Sequence, residues 1–139
     1  MMEDTLQKLK KEFFAFRNGI VADTLRKHFP YKIVFGLQLP QLAQIAAHTD
    51  KSMALAERLW SERGNRESRL LATYLFPLDE VTPEMSLKLA SEVETSEEAD
   101  MLVFRVLKRL PYANLILQQM EDREDISEYL KDALRNHLS

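Results

Sequence analysis

The segment EVETSEEAD, residues 92–100, concentrates carboxylates that could act as acids, bases or cation-stabilising groups. Glu97 and Glu98 fall in the first turn of a predicted helix, where negative side chains complement the positive end of the helix dipole. That structural role is sufficient to explain both of them. Asp100 lies one turn further along, where the dipole favours an acidic residue less. It therefore either lies on a solvated helix face or has a separate role.

Two arginines one helical turn apart could bind phosphate groups. Arg66, Arg69 and Thr73 follow an i, i+3, i+7 spacing and so share one stripe of a predicted helix. Such a pair suits contacts with phosphate oxygens, but it equally suits a solvated edge paired with Glu62 or Glu67. In either case we expect both arginines to be accessible to solvent. The other side of the same helix should be buried, and it carries Leu70, Leu71, Tyr74 and Leu75.

Residue types and spacings argue against several other chemistries. His28, His48 and His137 lie far apart, and none has a His or Glu three or four residues later, as a helical metal site would require. The chain has no cysteine and only three glycines, which excludes a thiolate metal site, a cysteine nucleophile and a glycine-rich phosphate loop. No G-x-S-x-G motif is present. We therefore expect neither a metal nor a cofactor.

The charge of the chain is unevenly distributed. Residues 1–70 contain 12 Lys and Arg against 8 Asp and Glu, a balance of +4, and residues 71–139 contain 7 against 14, a balance of −7. Solvated helix faces with a chance imbalance would explain this, and so would a basic half that meets a polyanion. No apolar run approaches about 18 residues, so we expect no membrane span. The charged N-terminus does not resemble a signal peptide, and a cytoplasmic protein is the default expectation.

The elements that must position these residues are helical almost throughout. Apolar residues recur at helical spacing and helix-opening prolines recur at Pro40, Pro83 and Pro111, which predicts eight or nine helices and no sheet. Only residues 31–39 have a strand-like composition, and we interpret them as an extended connector. Short loops favour antiparallel helical hairpins. We therefore predict an all-α fold with one domain over residues 1–139, arranged as a short α-solenoid. A compact helical bundle is the alternative.

Capping residues predict several helix ends. Asn18-Gly19 is a plausible stop for the first helix. Asp50 and Asn65 can each cap the helix that follows them. Thr95 with Glu98 three residues later matches a capping box at the start of the helix that contains Asp100.

Two short motifs give the chain a resemblance to a known family. The segment HFPYKIVFGLQLPQLAQIAAH, residues 28–48, contains Phe35, Gly36, Leu37, Leu39, Pro40, Leu42, Ile45 and Ala46 in a recognisable order. The pair Leu59-Trp60 then closes a predicted helix, and the next helix contains Arg66-Glu67, Arg69, Leu71 and Ala72. In order and spacing, these residues resemble the opening of the DNA alkylation repair family, the AlkD-like glycosylases.

The resemblance implies a fold, a partner and a reaction. The fold is an α-solenoid of HEAT-like repeats, the partner is duplex DNA gripped through a basic groove, and the reaction is removal of N3- or N7-alkylated purines. The candidate phosphate contacts in the basic half are Lys27, Lys32, Arg63, Arg66 and Arg69.

Asp100 is the residue that could stand for the family's catalytic carboxylate, which stabilises the positive charge that develops as the glycosidic bond breaks. The family's catalytic segment is rich in tryptophan, whose faces attract a cation. The corresponding stretch here, TSEEADMLV, has no tryptophan, so we expect weak excision or none. A non-catalytic helical-repeat scaffold that binds a protein or peptide is the alternative function.

Overall fold

A computed structural model describes all residues from 1 to 139 and confirms the predicted all-α fold. It has nine α-helices, 68% of the residues are helical, and there are no strands. Contacts divide the chain into two compact units, an N-terminal unit, Met1–Leu75, and a C-terminal unit, Phe76–Ser139. This division coincides with the charge asymmetry, because residues 71–75 carry no charged side chain. The N-terminal unit therefore has a balance of +4 and the C-terminal unit a balance of −7.

The helices are short, between 8 and 14 residues each. The N-terminal unit contains α1 (Met2–Ala15), α2 (Gly19–His28), α3 (Leu39–Ala47), α4 (Met53–Trp60) and α5 (Arg66–Leu75). The C-terminal unit contains α6 (Pro83–Ser91), α7 (Ser96–Arg105), α8 (Ala113–Met120) and α9 (Glu128–Leu138), together with two 3-10 turns at Leu78–Glu80 and Leu107–Arg109. Isolated helices of this length are marginal in water, so packing between them must supply most of their stability.

Helix α5 is the centre of the N-terminal unit, and every one of its ten residues is buried. It packs against α3 and α4. Asn65 caps it, since its Oδ1 accepts a hydrogen bond from the backbone N–H of Ser68 at 3.3 Å. The predicted burial of the leucine side is confirmed for Leu70, Leu71, Tyr74 and Leu75.

The predicted connector before α3 is extended and is attached to the loop before α5. The backbone N–H groups of Lys32 and Ile33 both donate to the carbonyl of Gly64, at 2.9 and 3.0 Å. The backbone N–H of Arg66 donates to the carbonyl of Ile33 at 3.0 Å, which completes a short parallel bridge between Ile33 and Asn65. Gly64 has a φ of +82°, a conformation that favours glycine.

Two predicted helix ends are wrong by a few residues. Asn18 does not end α1 but caps α2, because its Oδ1 accepts hydrogen bonds from the N–H groups of Ile20 and Val21 at 3.1 and 3.2 Å. Ser52, two residues after Asp50, is the cap of α4 and accepts from the N–H of Leu55 at 3.2 Å. Asn occurs both at helix C-termini and as an N-cap, and Asp and Ser are both good N-caps, so the sequence alone does not say which role each residue takes.

In the C-terminal unit, α7 and α9 make the most extensive helix pair. Thr95 caps α7 as predicted, accepting a hydrogen bond from the N–H of Glu98 at 3.0 Å. The Glu98 carboxylate accepts in return from the N–H of Glu94 at 2.9 Å. Leu130 and Leu134 of α9 are fully buried. The start of α7, one turn before Asp100, is therefore held at a defined position in this unit.

Candidate functional site

Arg66 and Arg69 do not lie at the surface, and the prediction that both are accessible to solvent is wrong. They are only 4% and 1% exposed. Their guanidinium groups bind atoms of the protein itself, and the reason lies in backbone groups that would otherwise be buried without partners.

The extended connector has backbone N–H groups that form no hydrogen bonds in a sheet. The carboxylate of Glu67 accepts hydrogen bonds from three of them. One carboxylate oxygen of Glu67 accepts from the N–H of Phe35 at 2.9 Å, and the other accepts from Gly36 and Leu37 at 3.1 and 3.3 Å. Arg66 neutralises this buried carboxylate at 2.6 Å and also donates to the carbonyl of Leu37 at 2.7 Å. Arg66 and Glu67 thus attach the connector to α5.

Arg69 likewise provides a hydrogen-bond partner for the backbone at the end of α4. Its Nη1 donates to the carbonyl of Trp60 at 2.8 Å, one of the carbonyl groups that a helix end leaves without an intrahelical partner. The guanidinium also lies 3.8 Å above the Trp60 ring. Trp60 is 4% exposed and is therefore a core residue. Several of the residues that carry the family resemblance therefore contact one another inside the N-terminal unit.

The three other candidate phosphate contacts, Lys27, Lys32 and Arg63, are exposed. Lys27 is in the last turn of α2, five residues before Lys32. The bridge between residues 32–33 and Gly64 brings Lys32 next to Arg63, and the side-chain carbons of Lys32 cover Gly64 so closely that an added Cβ there would lie 3.4 Å away. Neither lysine makes an ion pair with a carboxylate. Lys32 therefore contacts the residue that follows Arg63, and both cations are exposed on the unit that has a balance of +4.

Asp100 is exposed on α7 and has an aromatic neighbour that the sequence did not reveal. The hydroxyl of Tyr129, on α9, lies 3.0 Å from each of the two Asp100 carboxylate oxygens. The pKa of Tyr129 is raised mainly by its hydrogen bond to Asp100 and to a smaller extent by desolvation. Tyr129 is 50% exposed. The carboxylate and this aromatic ring are therefore both accessible to a molecule in solution.

Tyr129 shares the helical spacing of the apolar residues of α9, yet it is half-exposed whereas Leu130 and Leu134 are fully buried. The pairing with Asp100 joins residues 29 positions apart. No local spacing could have indicated it, because it depends on how α7 and α9 pack.

No group of three or more His, Asp or Glu side chains is placed to hold a metal ion. None of the nine helices combines the length and the apolar character needed to cross a membrane.

The candidate residues thus form two separate sites. The exposed cations Lys32 and Arg63 belong to the N-terminal unit, and the pair of Asp100 with Tyr129 belongs to the C-terminal unit.

Comparison with known proteins finds no family model, no curated protein and no solved structure that matches the chain.

Proposed function

We propose that this chain is a DNA-binding, HEAT-like repeat protein of the DNA alkylation repair family, and that it contacts the duplex backbone through Lys27, Lys32 and Arg63. The observation that carries the proposal is the pair of backbone hydrogen bonds that holds the segment of exposed Lys32 against Gly64, the residue after exposed Arg63. The resemblance of the 35–46 and 59–72 motifs to that family supports it.

Charge supports the same surface. Lys27 and Lys32 have no carboxylate partner, so their positive charge is available to phosphates. Neutralising phosphates releases counterions from the DNA, which makes such binding favourable and dependent on salt. The burial of Arg66 and Arg69 removes those two arginines from the contact set but leaves the exposed cations in place.

The test is fluorescence anisotropy with labelled duplex DNA, measured over a range of salt concentrations. The wild-type protein should lose affinity as salt rises. A double variant, Lys32→Ala with Arg63→Ala, should bind more weakly to every sequence. Its slope of log affinity against log salt should be shallower by about 1.8, which is about 0.9 for each lost contact.

The matched control removes two positive charges elsewhere in the same unit. Lys11 and Lys51 are exposed lysines that make no ion pair. The variant Lys11→Ala with Lys51→Ala therefore changes the net charge equally, and it should keep the wild-type slope. If both double variants lose the same affinity, binding depends on net charge alone and the assigned surface is wrong.

A second candidate function, excision of alkylated purines, is favoured by the pair of Asp100 with Tyr129. An accessible carboxylate can stabilise the positive charge on the sugar as the glycosidic bond breaks, and an aromatic face can attract a cationic base. Tyr129 supplies one such face where TSEEADMLV supplies no tryptophan. A single aromatic ring provides less contact than several, so we expect slow release.

Release of free base from alkylated duplex DNA, followed by chromatography, tests this second function. Asp100→Asn should abolish any release while leaving duplex binding unchanged, because carboxylates do not hold phosphates. Tyr129→Phe keeps the ring and should retain release. A wild-type protein that binds no duplex at low salt and releases no base would favour the alternative, a scaffold that binds a protein or peptide.

A further inference from the structure

The C-terminal unit has an exposed aromatic ring surrounded by basic groups. Phe104, on α7, is 41% exposed. The Lys108 ammonium lies 4.1 Å and the Arg109 guanidinium carbon 5.3 Å from the centre of its ring, and the His137 ring lies 6.0 Å away. Arg109 Nε also donates to the carbonyl of Phe104 at 2.9 Å, which holds the guanidinium near this ring.

Three other cations of the C-terminal unit form ion pairs with carboxylates, whereas Lys108 and Arg109 do not. Arg123, Lys131 and Arg135 each lie within ion-pair distance of a carboxylate, at 2.7, 3.2 and 2.8 Å. Lys108 and Arg109 make no ion pair, although the unit contains 14 Asp and Glu against 7 Lys and Arg. Their positive charge is therefore concentrated, without neutralisation, at an accessible aromatic ring.

We propose that this surface, made of Phe104, Lys108, Arg109 and His137, binds single-stranded DNA. An unpaired base can stack on the Arg109 guanidinium, or on Phe104 by displacing the flexible Lys108 side chain that lies over the ring. The ammonium of Lys108 and the guanidinium of Arg109 then contact the neighbouring phosphates. Aromatic rings combined with cations are the usual means of binding single strands, because every base has a stacking face and every nucleotide a phosphate. A duplex keeps its bases paired and stacked, so Phe104 discriminates in favour of the single strand.

This binding site is separate from the duplex contact proposed for Lys32 and Arg63 and does not depend on it. The two sites use different residues of different units, and they differ in mechanism. Binding through phosphate contacts weakens as salt rises and needs no bases, whereas binding by stacking requires unpaired bases. Each can therefore be lost without the other.

The test is fluorescence anisotropy with two labelled single strands, an oligothymidylate and an abasic oligonucleotide of the same length. Phe104→Ala should weaken binding of the oligothymidylate about tenfold or more and change binding of the abasic strand little. The double variant Lys108→Ala with Arg109→Ala should weaken the binding of both strands. Its slope of log affinity against log salt should be shallower by about 1.4, which is about 0.7 for each contact.

Matched controls come from the same unit. Leu115 is an exposed apolar residue of α8, 48% accessible, and Lys88 is an exposed lysine at the end of α6. Leu115→Ala and Lys88→Ala should bind both strands as the wild type does. Circular dichroism of every variant establishes that a loss of binding is not a loss of folding.

Several results would overturn the proposal. They are a wild-type protein that binds no oligothymidylate at low salt, a Phe104→Ala variant that binds both strands normally, and Leu115→Ala weakening binding as much as Phe104→Ala. The Lys32→Ala with Arg63→Ala variant separates the two proposals. It should keep single-strand binding, and if it alone loses such binding, the strand uses the N-terminal unit and Phe104 has no part.

Discussion

Glu67→Gln should strongly destabilise the N-terminal unit, because every hydrogen-bond partner of this carboxylate is a donor. Oε1 accepts from Phe35, and Oε2 accepts from Gly36, Leu37 and Arg66. A glutamine has one acceptor oxygen, and its NH2 group would face at least one of these donors. It would also remove the carboxylate charge that pairs with the buried guanidinium of Arg66 at 2.6 Å.

The magnitude follows from these losses. Removing one partner of a buried ion pair typically costs about 3–5 kcal/mol. That is a large part of the roughly 5–15 kcal/mol by which domains are stable. With a urea dependence of about 2 kcal/mol per molar, the unfolding midpoint should fall by about 1.5–2.5 M.

Trp60 provides the assay. It is the only tryptophan in the chain and is 4% exposed in the N-terminal unit, so its fluorescence in a urea titration reports the unfolding of that unit. The control is Glu62→Gln. Glu62 pairs with Lys10 at 2.8 Å, and their side chains are 24% and 36% exposed, so losing this pair should cost about 0–1 kcal/mol. Equal midpoints for the two variants would refute the structural role assigned to Glu67.

Three other perturbations test separate parts of the structure. Leu71→Ala removes a fully buried side chain of α5 and should cost about 2–5 kcal/mol in the same fluorescence titration. Gly36→Ala would place a Cβ 2.3 Å from the carbonyl oxygen of Asn18 at a φ of +85°, so its cost should exceed the roughly 1 kcal/mol of an ordinary substitution, measured by thermal unfolding. Because Asp100 raises the pKa of Tyr129 above its ordinary 10.0, the pair stabilises the fold below that pH and stops doing so as pH rises through the raised pKa. In a tyrosinate absorbance titration, Asp100→Asn should therefore shift one tyrosine to lower pH, and Tyr129→Phe should remove it.

The helices and their buried faces could be predicted because both are local properties of the sequence. Leu70, Leu71 and Leu75 recur at the period of a helix, and a core residue needs no particular partner to be apolar. The extended connector was likewise predictable from its composition. Capping residues were less certain, because Asp50 and Ser52 are both suitable and only one is used.

The site residues were harder to predict because their surroundings come from distant segments. Arg66 has the residue type and spacing of a phosphate contact, and only its bond to Leu37, 29 positions away, shows that it serves the connector. Tyr129 and Asp100, which share a hydrogen bond, are also 29 positions apart. By contrast, the exposure of Lys27 and Lys32 agrees with expectation, since a lysine without a buried partner normally lies in water.

The attachment of the connector to Glu67 also determines how the N-terminal unit opens. The amide hydrogens of Phe35, Gly36 and Leu37 are held by a side chain of the wholly buried α5, about 30 positions further along the chain. They can exchange with solvent deuterium only when that helix separates from the connector. These loop amides should therefore exchange as slowly as those of the core, and α5 and the connector should open as one cooperative unit. Such coupling keeps Lys32, which belongs to the connector, at a fixed place on the surface for as long as the unit is folded.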